Sequence, residues 1–139
     1  MKARVKWVGQ SMFVAESGSG HCVVLDGPPE AGGQNLGVRP MEMVLLGLGG
    51  CTAFDVVDIL KKKREQVTGC VVEIEAERAE EPPKIFTKIH VRYIVSGKSI
   101  KDESVKRAVE LSAEKYCSVS IMLGKTATMT HDYQIINEV

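Results

Sequence analysis

The feature that most constrains this chain is the run from Met43 to Phe54, which carries no charge and is followed at once by Asp55 and Asp58. So early an interruption makes the run too short for a membrane span, so it reads as a core helix. Pro40 suits the first turn of that helix, where its missing N–H is not needed, and Glu42 in the same turn complements the helix dipole. The helix should continue to about Lys63 and be almost wholly buried. Its interior holds Gly47, Gly49 and Gly50, each about 1 kcal/mol worse than Ala in a helix. Such residues predict the close approach of another helix, or a small cavity beside Cys51.

The flanking segments alternate polar and apolar side chains. ARVKWV, SMFVAES and HCVVLDG, separated by Gly9, Gly18 and Gly20, predict an antiparallel three-stranded meander. GPPEAGGQNLGV has no period and reads as a loop, the most mobile part of the chain. GCVVEIEAERAEE and KIFTKIHVRYIVSG, on either side of Pro82 and Pro83, predict a long hairpin with charged outer faces. DESVKRAVELSAEKY places Val105, Ala108, Val109, Ala113 and Tyr116 on one helical stripe, with Asp102 as its N-cap. A short helix from near Cys117 and a closing strand in ATMTHDYQIINEV complete the order. The fold class is therefore α+β: antiparallel sheet segments around a long buried central helix. There is no regular βαβ alternation, GxGxxG string or P-loop to support a nucleotide-binding fold.

The 139 residues suffice for one domain, residues 1–139, with a core that needs no disulfide or metal. Lys plus Arg and Asp plus Glu both total 18, so no overall field favours nucleic acid or an anionic membrane. The N-terminus lacks an apolar stretch and a cleavage site, which predicts a cytoplasmic protein. In that reducing compartment the four cysteines are not a disulfide framework. No CxxC is present, and His21, His90 and His131 stand singly, so no metal site is expected. Cys22, beside His21, and Cys70 lie in strand patterns and read as structural.

Cys51 and Cys117 remain. A thiolate can cleave a peroxide O–O bond to give a sulfenic acid, which a second thiol traps as a disulfide. Cys51 is too far along its helix to benefit from the dipole. Asp55 at i+4 and Asp58 at i+7 share its face and disfavour a thiolate unless a cation such as Arg39, Arg64 or Arg92 neutralises them. Cys117 is placed to start a new helical turn, whose free N–H groups would stabilise a thiolate, with Lys115 nearby; otherwise it ends a helix and faces the core.

The strings RPMEMVLLGLGGCTAFDVVDIL and SAEKYCSVSIML resemble the two signature regions of the OsmC/Ohr superfamily, in particular its YhfA-like branch. The resemblance rests on a Pro-x-Glu opening, a long apolar helix with a small-small-Cys step, and a late Cys after an amphipathic helix. It implies an OsmC-like α+β subunit in an intertwined homodimer, with active sites at the subunit interface. It also implies that Cys51 is the peroxidatic and Cys117 the resolving cysteine; Glu42 in the first helical turn and Arg39, the nearest cation in sequence, are the supporting candidates read from the residues themselves. The activity implied is thiol-dependent reduction of organic hydroperoxides with a dithiol reductant and no cofactor. Leu48, Phe54 and Met122 would line the site. The strict peroxidases of the family carry an Arg where this chain has Gln10 and Ser11, a Glu where it has Met41, and CPYS where it has CSVS. A non-catalytic dimeric module that binds small molecules or senses redox state therefore stays open beside the peroxidase, as does a structural dimer that requires a partner protein.

Overall fold

A computed structural model describes residues 1–139, and the chain divides into two compact units, Met1–Leu46 and Gly47–Val139. In the first, β1 (Ala3–Gly9), β2 (Met12–Ser17) and β3 (Cys22–Leu25) form the expected antiparallel meander in sequential order. The β1–β2 turn places Gly9 and Gln10 at positive φ, 118° and 49°. The loop that follows is more organised than its composition suggests. Pro29–Ala31 forms a 3-10 turn, and the buried carboxylate of Asp26 accepts the backbone N–H groups of Gly27 at 2.7 Å and of Gln34 and Leu36 at 3.1 Å. Gly33 is required there, because a Cβ would run into the carbonyl of Gly27.

The predicted central helix, α1, spans Pro40–Lys62. Arg39 precedes it as N-cap: its carbonyl accepts the N–H of Met43, and its own N–H is held by Glu42 Oε1 at 2.8 Å. That is one half of a capping box, and it explains Glu42 in the first turn. By length and composition alone α1 could cross a membrane. The expectation of nearly complete burial is corrected: only Leu48, Thr52, Val56 and Leu60 are buried, at i, i+4 spacing, while Leu46 and Phe54 are 57% and 75% exposed. One stripe packs within this chain and the remaining apolar surface is open.

The second unit is built on a sheet of order β4–β5–β6 (Gln66–Arg78, Phe86–Lys98, Thr128–Asn137). The β4–β5 hairpin is antiparallel as expected, but β6 runs parallel to β5, so the sheets are not purely antiparallel. The cause is the return path: α2 (Asp102–Leu111) and α3 (Ser118–Leu123) make a crossover long enough to bring the chain back to the starting end of β5. Lys101, not Asp102, takes the N-cap place of α2, and Asp102 and Glu103 form its acidic first turn, favourable to the dipole. Alternate residues of β5, Ile89, Val91, Tyr93 and Val95, form the buried face of the sheet, and Val105, Ala108 and Val109 of α2 complete the core with the α1 stripe. Of the three helical glycines, Gly49 alone meets a neighbour: a Cβ there would lie 3.3 Å from Ile74 Cδ1, while Gly47 and Gly50 face open space within this chain.

Candidate functional site: two thiols, a carboxylate and a hydroxyl chain

The fold brings Cys51 and Cys117 together with Asp55, their ligand atoms all within 4.8 Å of one another. Cys51 and Asp55 come from one face of α1, as their i, i+4 spacing requires. Cys117 arrives through an irregularity. Directly after α2, Ser112–Tyr116 forms a π-helical turn, in which Cys117 donates its N–H to the carbonyl of Ser112 at 2.9 Å, five residues back. Turns of this kind insert one residue into a helix and are frequent at functional sites. Here the turn ends the helix with Cys117 extended and serving as the N-cap of α3, its sulfur accepting the N–H of Ser120 at 3.4 Å.

Cys117 does start a helix, but it is not activated as a thiolate. It is fully buried, and its pKa is pushed up to about 12, first by loss of solvent, then by its hydrogen bond to Cys51 and by the charges of Cys51 and Asp55. The Ser120 N–H works in the opposite direction and is outweighed. Lys115 lies over the ring of Tyr116, its ammonium 5.4 Å from the centroid. At neutral pH Cys117 is therefore a thiol that can donate an S–H to Cys51.

The two carboxylates that follow Cys51 have different fates. Asp58 is paired with Lys62 at 2.7 Å on the helix surface. Asp55 is drawn into a chain of buried hydroxyls: Ser112 Oγ lies 3.0 Å from Asp55 Oδ2, Thr52 Oγ1 lies 2.8 Å from Ser112 Oγ, and Tyr93 Oη is hydrogen-bonded to Thr52 Oγ1. Burial raises the pKa of Tyr93, partly offset by the bond to Thr52, so this phenol keeps its proton. Sequence reading missed Thr52, Ser112 and Tyr93. The one available signal was the polar Thr52 inside an apolar helix, next to Cys51.

The other sequence-derived candidates have partners of their own. Arg39 and Glu42 belong to the first unit; the Arg39 guanidinium donates to Asn35 Oδ1 at 2.8 Å and to the carbonyl of Gly37 at 3.1 Å, while Glu42 holds the start of α1. Arg92 pairs with Asp132 at 3.1 Å. Gln10 and Ser11 serve the first hairpin, the Gln10 carbonyl accepting Trp7 Nε1–H and Ser11 Oγ donating to the carbonyl of Ala31. Leu48 is fully buried, and Phe54 and Met122 are exposed to solvent, so this chain alone does not gather the three into a lining. Cys22 is exposed, and burial raises the thiol pKa of the half-buried Cys70. Although sequence spacing gave no metal motif, Cys51, Asp55 and Cys117 are close enough together for a soft cation. The high pKa of Cys117 opposes that use, since a metal takes the thiolate.

Known proteins share this framework. The chain is 50% identical over 139 residues to protein YhfA of Escherichia coli, covering 98% of each. A crystal structure of a hypothetical protein from Aquifex aeolicus superposes with a TM-score of 0.87 at 28% identity, over 99% of this chain and 97% of that one. The organic hydroperoxide resistance protein OhrB of Bacillus subtilis shares the fold with a TM-score of 0.63 at 17% identity, over 96% of this chain and 98% of its own. The model of the OsmC-like proteins matches residues 32–132, a stretch that contains both Cys51 and Cys117. With that match, and with half of its residues identical to YhfA along nearly the whole length, the chain belongs to the OsmC-like family.

Proposed function

We propose that the protein reduces hydroperoxides, with Cys51 as the attacking sulfur and Cys117 as the resolving one. The observation that carries this reading is the closeness of the two sulfurs, within 4.8 Å, reached from helix α1 and from the end of the π-turn. Side-chain rotation can close such a gap to the bond length of a disulfide, about 2 Å. The protonation of Cys117 supports the division of labour. Cys117 stays a thiol and hydrogen-bonds to Cys51, so its S–H is directed at the attacking sulfur. Cys117 is also sealed from solvent, which protects a resolving thiol from direct over-oxidation. Further support comes from the family, whose fold is shared by a protein named for organic hydroperoxide resistance.

The same proposal includes a cytoplasmic setting, where a dithiol reductant regenerates the pair, and a homodimer. The exposed apolar residues Phe54 of α1, Tyr116 and Met122 are those we assign to the contact with the second copy. The test is oxidation of the reduced protein with one equivalent of cumene hydroperoxide, followed by peptide mass spectrometry. A Cys51–Cys117 disulfide is expected, and Cys51→Ser should abolish hydroperoxide consumption. Two intact thiols after the treatment would overturn the proposal.

One observation favours a second reading, a redox sensor or small-molecule module. The carboxylate of Asp55 lies against the sulfurs, and Gln10 and Ser11 stand where the strict peroxidases have Arg. Steady-state turnover with a dithiol separates the two: sustained Cys51-dependent consumption supports the enzyme, whereas one oxidation per chain without turnover supports the sensor.

A further inference from the structure

The hydroxyl chain that ends at Asp55 has a fixed direction. A carboxylate only accepts hydrogen bonds, so the single proton of Ser112 Oγ points to Asp55 Oδ2 at 3.0 Å. The carbonyl of Thr52 is a poorer alternative for it, at 3.5 Å. With its proton committed, Ser112 Oγ can only accept from Thr52 Oγ1, and Thr52, its own proton now spent, can only accept from Tyr93 Oη. Three donors are therefore lined up in series, all pointing to one carboxylate. Thr52, Ser112 and Tyr93 are fully buried or nearly so, at 1%, 0% and 2% exposure, whereas Asp55 is half-buried. Such a chain stabilises a charge at its end and leaves the other carboxylate oxygen, Oδ1, without a partner in it. That group stands within 4.8 Å of both sulfurs.

We infer that Asp55 is the proton-transferring group of this site, serving Cys51 and Cys117 in turn, with Ser112, Thr52 and Tyr93 as the residues that position it. The inference deepens the proposed hydroperoxide chemistry and rests on it for the identity of the oxidant. In the first step the carboxylate takes the proton of Cys51, directly or through one water. The thiolate attacks the terminal oxygen of the hydroperoxide, forming the S–O bond and breaking O–O, and the departing alkoxide receives that proton as an alcohol. In the second, Asp55 takes the proton of Cys117, whose sulfur attacks Cys51 Sγ; S–S forms, S–O breaks, and the leaving hydroxide is protonated to water. Two thiols and one hydroperoxide thus give a disulfide, an alcohol and water, and Asp55 ends as it began. The role accounts for a carboxylate that electrostatics alone would keep away from a reactive thiol. The titratable groups around Asp55 are Cys51 on its own helix, Cys117 at the start of α3 and, through the hydroxyls, Tyr93 of β5.

The test compares Asp55→Asn, which keeps an oxygen for Ser112 but cannot accept a proton, with the parent protein in two assays. In single turnover with cumene hydroperoxide the variant should be slower by roughly 10²-fold or more, the range of a lost general acid–base. In the second assay dithionitrobenzoate caps Cys51, and attack by Cys117 then expels a second thionitrobenzoate, a leaving group that needs no proton. In a Cys22→Ser background, which removes the exposed thiol, that release reads the deprotonation of Cys117 and should slow to a similar extent. If Asp55 merely repelled negative charge, both reactions would be as fast as in the parent or faster in the variant, and this outcome overturns the inference. A parent inert to hydroperoxide, with a second release that still depends on Asp55, would sink the proposed function and leave the role of Asp55 standing. Ser112→Ala provides a second variant. It should slow the second release in the parent background and have no further effect in Asp55→Asn, while a purely structural role for Ser112 would slow both backgrounds alike.

Discussion

The backbone N–H of Cys117 is bonded to the carbonyl of Ser112, five residues back, at 2.9 Å, so the residue whose hydroxyl reaches Asp55 also anchors the second sulfur. An α-helix would bond Cys117 to the residue four back and turn each later position by about 100°. Ser112 itself keeps ordinary helical pairing, its N–H bonded to the carbonyl of Ala108, and the extra residue after it is what lets Cys117 leave the helix to cap α3.

Deleting Glu114, an exposed residue of that turn, should restore ordinary helical pairing and carry Cys117 away from Cys51. The deletion variant is expected to fold, because α2 and its buried stripe lie upstream, but to form no Cys51–Cys117 disulfide under mild oxidation. Peptide mass spectrometry of the oxidised variant, with circular dichroism as the control for folding, checks this. Undiminished disulfide formation would remove the turn from the account.

Residue order alone reveals the elements but not this join. The strands of the meander and the β4–β5 hairpin follow from two-residue alternation, and α2 from a stripe at Val105, Ala108 and Val109, all local patterns. A one-residue slip of hydrogen-bond register has no periodic trace, and the hydroxyl chain joins residues 41 and 60 positions apart. Nor could periodicity show that β6 would lie parallel to β5, since strand direction depends on where the crossover returns. The one-sided burial of α1 was hidden for the opposite reason. A helix apolar on every side looks the same in sequence whether its second face meets its own chain or another.

Gly49 tests how tightly the inner face of α1 is packed. Replacing it with Ala gains helix propensity, about 1 kcal/mol, and sets a methyl 3.3 Å from Ile74 Cδ1, the movable end of a side chain. The two effects should nearly cancel in Gly49→Ala. Gly49→Leu should destabilise by roughly 1–3 kcal/mol through overpacking, read from urea unfolding midpoints.

The loop after β3 should be acid-sensitive. Burial alone would raise the pKa of Asp26, but the N–H groups of Leu36, Gly27 and Gln34, helped by the charge of Arg39, hold it below the ordinary value of 3.8. With the folded pKa depressed, the stabilisation is present above that value and is lost as pH falls through the lower, folded pKa. Hydrogen exchange at the amides of Gln34 and Leu36, corrected for intrinsic rates, should therefore lose protection on acidification. Asp26→Asn should show reduced protection at neutral pH and little further change with acid.

The opposite sign holds for Cys117 on the alkaline side. Its folded pKa, about 12, stands above the ordinary thiol value of 9.0 because burial and its neighbours oppose a charge. Below pH 9 both folded and unfolded chains keep the proton, so nothing is lost. Between 9 and 12 the unfolded chain releases it while the folded chain retains it, and each step up in pH favours unfolding. Tyr93, also raised by burial, adds to the same trend at higher pH. The fully reduced protein should therefore lose stability steadily as pH climbs above 9, measured as the urea midpoint in the presence of a reductant. Cys117→Ala has no proton to release and should flatten the decline, at the expense of some packing at neutral pH. An equally steep decline in Cys117→Ala would show that the buried thiol is not what the alkaline limb reports.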